Sequence, residues 1–201
     1  MNVFDGLICD MDGTLTRPTL DFGAIRRELG LGAGDIAHQL LALPEERQRA
    51  AWAAIEVHEA RAAEQQTLQE GTAELLAACR RRAMKLGLIT RNAASSVDAL
   101  CRRFGLAFDA VVTRDFSHMK PHPEVVRHVL RQWSLPAERA LVVGDYVHDL
   151  ECGRAAGTAT CFFHNPGHTF YGAQADFVVR SMAELAAILF PAATEKVKPC
   201  V

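Results

Sequence analysis

Two carboxylates one residue apart follow an apolar run near the start of the chain. Residues 7–9 predict a short buried strand, Asp10 and Asp12 come directly after it, and Gly13 favours a turn. A strand-end aspartate commonly caps a turn, but burying two unpaired charges only to build a core is costly. A carboxylate can act as a nucleophile, and a second one nearby can exchange protons. Asp10 is therefore the candidate nucleophile, and Asp12 is the candidate general acid and base.

Polar residues also follow three later apolar stretches. Thr90 ends one of them, Lys120 lies in a loop with two prolines, and Asp145 follows the most apolar stretch and precedes Asp149. Each has an ordinary explanation alone: a turn hydroxyl, a solvated lysine, or acids that favour a helix N-terminus. Ligands of open α/β sheets bind beyond the carboxyl ends of the strands, which is where all of these residues are expected.

The four aspartates predict a metal site. Four carboxylates at one edge of a sheet repel one another unless a cation or a proton is shared among them. Mg²⁺ suits such a set, because it is a hard ion that carboxylates, water and substrate phosphate bind together. The sequence therefore predicts Mg²⁺ as the cofactor.

The rest of the chain supplies elements that would position these residues. From residue 71 onward, short apolar runs alternate with amphipathic segments, which predicts an α/β fold with a parallel sheet covered on both faces. Predicted strands cover residues 7–9, 86–90, 110–113, 140–143, 160–163 and 177–179, and predicted helices cover residues 72–83, 95–104, 123–133, 149–156 and 182–190. This pattern predicts a three-layer α/β/α, Rossmann-like core.

A helical segment interrupts that core. Residues 17–70 lack strand-like runs and carry apolar residues at helical spacing in three successive stretches. We therefore predict a core domain formed by residues 1–16 and 71–191, a small helical domain at residues 17–70, and a tail at residues 192–201. The polar residues of the helical domain that we expect to be exposed are Arg17, His38, Arg47, Arg49, His58 and Arg61.

Composition limits the function classes. The formal net charge of the 201-residue chain is -2, which gives no reason to expect nucleic acid as a partner. No apolar run approaches the roughly 20 residues of a membrane span, and the first residues lack the basic region of a signal peptide. The six cysteines are scattered, which is typical of reduced thiols. We expect a cytoplasmic protein that forms a monomer or a small homo-oligomer.

The motifs at Asp10–Thr14, Thr90, Lys120 and Asp145–Asp149 resemble, in order, those of the haloacid dehalogenase-like hydrolases. The likeness is to the branch with phosphoglycolate phosphatases and β-phosphoglucomutase, in which a helical cap follows the first motif. The resemblance implies a phosphate ester substrate, with the cap closing over the site. It implies catalytic roles for Asp10, Asp12, Thr90 and Lys120, substrate or phosphate binding by Met11, Gly13, Thr90, Arg91, Asn92 and Lys120, and metal binding by Asp10, Asp12, Asp145 and Asp149.

The resulting prediction is a Mg-dependent phosphatase that hydrolyses a small organic phosphate monoester through phospho-Asp10. Two alternatives remain open, a sugar phosphomutase of the same family and a non-catalytic protein that binds a phosphometabolite. No lysine lies between Arg17 and Lys85, which counts against the family's mutases, because those enzymes use a lysine of the cap. A binding protein would not need the full set of charged residues.

Overall fold

The core of the protein is a six-stranded parallel sheet. The computed structural model describes residues 4–191, so the predicted tail at residues 192–201 lies outside the described residues. The strands run in the order β3-β2-β1-β4-β5-β6, and every neighbouring pair is parallel. Their bounds are β1 Gly6–Cys9, β2 Lys85–Ile89, β3 Ala110–Val112, β4 Ala140–Gly144, β5 Ala159–Phe163 and β6 Phe177–Val179.

Helices follow or connect these strands along the chain. They are α1 Phe22–Leu29, α2 Ile36–Leu41, α3 Glu45–Gln65, α4 Thr72–Arg81, α5 Ala94–Phe104, α6 Glu124–Trp133, α7 Val147–Ala156 and α8 Met182–Leu189. The start predicted for α7 at Asp149 was wrong by two residues. Asp149 accepts a hydrogen bond from the Tyr146 backbone N–H at 3.1 Å, so it caps the first turn from within the helix. The predicted α4 was also too long, because Ala83 adopts a φ of 55°.

Apolar side chains of the sheet alternate between two buried layers. Leu7 and Cys9 of β1 pack with α4, α5 and α8, whereas Ile8 between them packs with α6 and α7. This alternation follows from the twofold periodicity of a strand. The structure therefore confirms the three-layer α/β/α fold.

The helices α1, α2 and α3 lie between β1 and β2 in the chain and have their own apolar cluster. Ile25, Leu40, Ala51 and Ile55 form its buried part. Short acidic side chains begin two of these helices: Asp21 accepts from Ala24 N–H at 2.8 Å, and Asp35 accepts from His38 N–H at 2.7 Å. We call α1, α2 and α3 the helical segment. Within the described part of the chain, no helix is long and apolar enough to cross a membrane.

Candidate active site

The sheet topology brings the first motif, at Asp10–Thr14, beside the fourth, at Asp145–Asp149. β1 lies between β2 and β4, and Cys9 at the end of β1 is in register with Val143 of β4. Successive strands are added on one side of β1 up to β3, and on its other side from β4 onward. The winding direction therefore reverses between β1 and β4, which is where open α/β sheets bind ligands. Asp10 follows β1 and Asp145 follows β4, so both carboxylates lie at this edge.

Lys120 connects two of the site's carboxylates. Its Nζ atom lies 2.5 Å from Asp10 Oδ1 and 2.6 Å from Asp149 Oδ1, and all three residues are buried. Burial alone would lower the pKa of the lysine, but the two adjacent carboxylates raise it above its usual range. Lys120 is therefore a fixed cation beside Asp10. The Thr14 hydroxyl donates to the other Asp10 oxygen at 3.3 Å.

Asp12 is held by two amide side chains. Asn92 Nδ2 donates to Asp12 Oδ2 at 2.5 Å, and Gln66 Nε2 donates to Asp12 Oδ1 at 2.7 Å. Burial and the nearby Asp10 charge raise the pKa of Asp12 to about 6, against the effect of the Asn92 hydrogen bond. A carboxyl with a pKa in that range can both give and take a proton near neutral pH. Gln66 was not among the predicted site residues, because a single glutamine at the end of α3 has no distinguishing sequence pattern.

Three carboxylates converge at a point that could hold a metal ion. One oxygen each from Asp10, Asp145 and Asp149 lies within 4.8 Å of the others. Burial and the neighbouring carboxylates raise the pKa of Asp145, and burial raises the pKa of Asp10. Hard oxygen donors with surplus negative charge match the preference of Mg²⁺. The cluster therefore fits the predicted ion chemically.

Two glycines allow these carboxylates to approach the backbone. A Cβ atom on Gly13, which has a φ of 80°, would lie 2.0 Å from Asp145 Oδ2. A Cβ atom on Gly144 would lie 2.1 Å from Asp149 Cγ. Asn165 joins this group, because its Nδ2 donates to the Gly13 carbonyl at 2.6 Å and to Asp145 Oδ2 at 3.1 Å. Asn165 was missed in the sequence, where nothing marks it within a polar loop.

The second motif, at Thr90, also lies at this edge of the sheet. Thr90 follows β2, is buried, and accepts a hydrogen bond from the Asn92 backbone N–H at 3.1 Å. Met11 packs its side chain in the core. Its carbonyl accepts from Leu15 and Thr16 N–H at 3.0 Å. The predicted site residues from the first two motifs thus lie on adjacent loops.

Arg91 joins the core to the helical segment. Its guanidinium donates to both carboxylate oxygens of Asp35, at 2.7 and 2.9 Å, and it lies 2.9 Å from His148 Nδ1. Hydrogen bonds from Arg91 and from the His38 N–H outweigh partial burial and lower the pKa of Asp35 to about 2. Asp35 and His148 were not predicted as partners, because they are 56 and 57 residues from Arg91 in sequence.

A second ion pair joins α3 to the core. Arg114 Nη1 lies 2.7 Å from Glu59 Oε1, and both side chains are buried. The Arg114 guanidinium also lies over the Trp52 ring, 4.8 Å from its centroid. Ser96 Oγ donates to Glu59 at 3.3 Å. Neither Glu59 nor Arg114 was predicted, because each is an ordinary charged residue when only its neighbours in sequence are considered.

A cavity of about 380 Å³ extends from the carboxylates to the helical segment. Asp10, Asp12, Thr90 and Lys120 line it on the core side, and α1, α2 and α3 line it on the other. Arg26 is the arginine that the helical segment contributes to the described lining. The six polar residues that we expected to be exposed are not part of that lining. For His58 the expectation was wrong, because its side chain is largely buried and lies 2.8 Å from Glu28.

Comparison with known proteins places the chain in a family. Residues 16–163 match the family of haloacid dehalogenase-like hydrolases. A haloacid dehalogenase-like hydrolase domain-containing protein of Arabidopsis thaliana is 32% identical over an alignment of 203 positions, which spans 92% of this chain and 83% of the relative. The chain therefore belongs to the haloacid dehalogenase-like hydrolases, as its motifs predicted.

Two further comparisons are with a curated relative and with a solved structure. The pyrophosphatase PpaX of Bacillus thuringiensis is 33% identical over an alignment of 138 positions, which spans 66% of this chain and 62% of that protein. The crystal structure of a hydrolase from Pseudomonas syringae superposes with a TM-score of 0.80 at 20% identity, covering 94% of this chain and 100% of that one. The second comparison shows the shared fold.

Proposed function

We propose that the protein is a Mg²⁺-dependent phosphatase that hydrolyses a small organic phosphate monoester through a phosphoaspartyl intermediate on Asp10. The observation that supports this most directly is the position of Lys120 between Asp10 and Asp149. The lysine offsets the charge of the nucleophile and would also attract the phosphoryl group. Membership of the hydrolase family supports the same reaction class.

In the first step, a carboxylate oxygen of Asp10 attacks phosphorus, and the bond from phosphorus to the ester oxygen breaks. Asp12 gives its proton to the departing alkoxide, which leaves as an alcohol. The raised pKa of Asp12, about 6, suits this proton transfer. Lys120 and the Thr90 hydroxyl, with backbone N–H groups near Met11 and Gly13, would hold the phosphoryl oxygens during transfer. Asn92 would keep Asp12 in position through its 2.5 Å hydrogen bond.

In the second step, water attacks the phosphorus of phospho-Asp10. Asp12, now ionised, takes a proton from this water, and the bond from phosphorus to the Asp10 oxygen breaks. Free phosphate leaves, Asp10 returns as a carboxylate, and the proton on Asp12 is ready for the next turnover. Splitting one difficult hydrolysis into two transfers is the usual advantage of a covalent intermediate.

The carboxylates of Asp10 and Asp145, with the backbone carbonyl of Asp12, would hold the metal ion, and Asp149 would bind it directly or through water. When bound, Mg²⁺ would offset the charge of the cluster and of the transferring phosphoryl group. Asp149 also keeps Lys120 in place, since it accepts the lysine's hydrogen bond at 2.6 Å.

Residues 17–70 would act as a cap that keeps bulk water from the phosphoaspartyl group and contacts the leaving group. The cavity between the cap and the core supports this role, because α1, α2 and α3 form its outer wall. The flanking segments at residues 16–18 and 69–71 would be the hinges.

The test measures free phosphate from a panel of phosphate monoesters and inorganic pyrophosphate, with Mg²⁺, for the wild type and Asp10→Asn. We expect Asp10→Asn to lower kcat by at least about 10³-fold, because the amide is a poor nucleophile. Asp98→Asn, the same change at an exposed position of α5, is the control and should retain full activity. Substantial turnover by Asp10→Asn would exclude the nucleophilic role.

The same assay separates the alternatives. A phosphomutase would isomerise a sugar phosphate with little release of free phosphate, so both products should be measured. A binding protein would release no phosphate from any ester, although it would still bind phosphate.

A further inference from the structure

We infer that the substrate's leaving group is predominantly apolar, with an alkyl or aryl body in place of a sugar or of a second anionic group. This inference names the substrate class and rests on the proposed function. It comes from the outer side of the cavity, which residues 18–59 form. Leu20, Phe22, Ile36 and Trp52 line that side and leave part of their apolar surface exposed.

The cavity is larger than a phosphoryl group requires. Its volume of about 380 Å³ lies within the range of pockets that hold whole organic ligands. The carboxylates, Lys120 and Thr90 occupy the core end, so the remaining volume would hold the leaving group. Its size and surroundings therefore bear directly on what that group is.

Three arginines that line the cavity already have hydrogen-bond partners within the protein. Arg91 is paired with Asp35 at 2.7 Å, and Arg114 is paired with Glu59 at 2.7 Å. Arg26 donates to the Gly32 carbonyl at 2.7 Å and to the Gly34 carbonyl at 2.5 Å. A carboxylate or a second phosphate on the substrate would compete with Asp35 for Arg91 and with Glu59 for Arg114. The Arg114–Glu59 pair is buried, so breaking it would be costly.

A polyhydroxylated leaving group also fits this wall poorly. The Thr19 hydroxyl has no hydrogen-bond partner, but its oxygen lies beneath the cavity surface. The lining also includes uncharged polar side chains on other elements, which do not belong to this apolar wall: Tyr146, His148, His168, Thr169 and Tyr171. Sugar hydroxyls packed against Leu20 or Ile36 would lose hydrogen bonds to water without replacing them.

Phe22 gives the clearest indication of a ligand surface. It begins α1, lines the cavity, and is 55% exposed. Burial of an exposed aromatic ring against an apolar leaving group is favourable. Leu41 in α2 is 56% exposed as well, but it does not line the cavity. These two residues form a matched pair for testing the inference.

The test uses esters with primary alkyl leaving groups, so that chemical reactivity differs little. We compare kcat/KM for 2-phenylethyl phosphate, glycerol 3-phosphate and 2-carboxyethyl phosphate in the Mg²⁺-loaded protein. We expect the phenylethyl ester to be favoured by at least about 10-fold, because that is the scale of discrimination in hydrophobic pockets. Equal values, or a preference for the glycerol or carboxyethyl ester, would overturn the inference while leaving the phosphatase activity intact.

The corresponding phosphonates extend the test to binding. They cannot be hydrolysed, so calorimetry with 2-phenylethylphosphonate and its dihydroxypropyl analogue measures preference even if turnover fails. We expect Phe22→Ala to reduce the preference for the phenylethyl compound several-fold, and Leu41→Ala to leave it unchanged. Preferential binding of the phenylethyl phosphonate without release of phosphate from any ester would reject the proposed function and retain the inference about the cavity. An unchanged preference of Phe22→Ala for the phenylethyl compound would show that the apolar wall near Phe22 does not bind the leaving group.

Discussion

The guanidinium of Arg91 donates one hydrogen bond to each carboxylate oxygen of Asp35, at 2.7 and 2.9 Å. The pair joins the loop after β2 to the beginning of α2 across the cavity. Each side chain is 26% exposed, so solvent screens the interaction only in part. This contact fixes the distance between the helical segment and the residues that follow Thr90.

We expect Arg91 and Asp35 to be energetically coupled. A double-mutant cycle with Arg91→Met and Asp35→Asn should give a coupling free energy of about 1 kcal/mol in urea unfolding. Asparagine is used because it retains an acceptor for the His38 N–H, which Asp35 binds at 2.7 Å. Additive effects of the two substitutions would show that the contact contributes nothing to the folded state.

Asp12→Ala should slow the reaction according to the leaving group. For alkyl phosphates we expect kcat/KM to fall by about 10²–10⁴-fold, because the alkoxide then leaves without a proton. For p-nitrophenyl phosphate the loss should be much smaller, because that leaving group is stable as an anion. The parameter kcat/KM is chosen because it reports only the steps up to departure of the leaving group. Equal losses for both substrates would contradict the role of Asp12 as a general acid.

Removing divalent metal should abolish phosphate release, and Mg²⁺ should restore it. The carboxylates of Asp10, Asp145 and Asp149 repel one another, and a bound cation relieves this repulsion. Mg²⁺ at 100 times its dissociation constant should stabilise the fold by about 2.7 kcal/mol, which is visible as a higher Tm. Asp145→Asn should weaken both effects. Full turnover in EDTA would remove the metal from the proposed reaction.

The stability of the metal-free protein should depend on the charge of Asp145. Burial raises its pKa in the folded state above the unfolded value of about 3.9, so the folded state holds this proton more tightly. Its contribution to stability is therefore greatest at low pH and is lost as the pH rises through the folded-state pKa. Asp145→Asn lacks this ionisation.

We accordingly expect the Tm of Asp145→Asn in EDTA to exceed that of the wild type by a margin that grows between pH 5 and pH 8. For a chain of this size each kcal/mol corresponds to about 2–4 °C. Asp98→Asn, an exposed site, should show no such growth. A constant difference across this range would mean that Asp145 ionises normally in the folded protein.

The fold and the family followed from local patterns in the sequence. Each apolar strand ends at a polar residue, and the order of the motifs at Asp10, Thr90, Lys120 and Asp145 matched the family that the comparisons then identified. Parallel strands place their carboxyl ends at one edge, so the positions of these residues could be inferred without coordinates. The start of α7 was wrong, because the capping role of Asp149 depends on side-chain geometry.

The tertiary structure decided what surrounds that edge. Three of its features join residues that are far apart in sequence or on separate elements. These are the hydrogen bonds from Gln66 and Asn92 to Asp12, the pairing of Glu59 with Arg114, and the apolar wall near Phe22. Periodicity assigns a residue to one face of its own helix or strand, but it does not specify which distant side chain meets that face. The sequence by itself therefore determined the parallel sheet and the chemistry expected at its edge. The packing of the helical segment on the core decided the shape of the cavity and which of its charged side chains are paired.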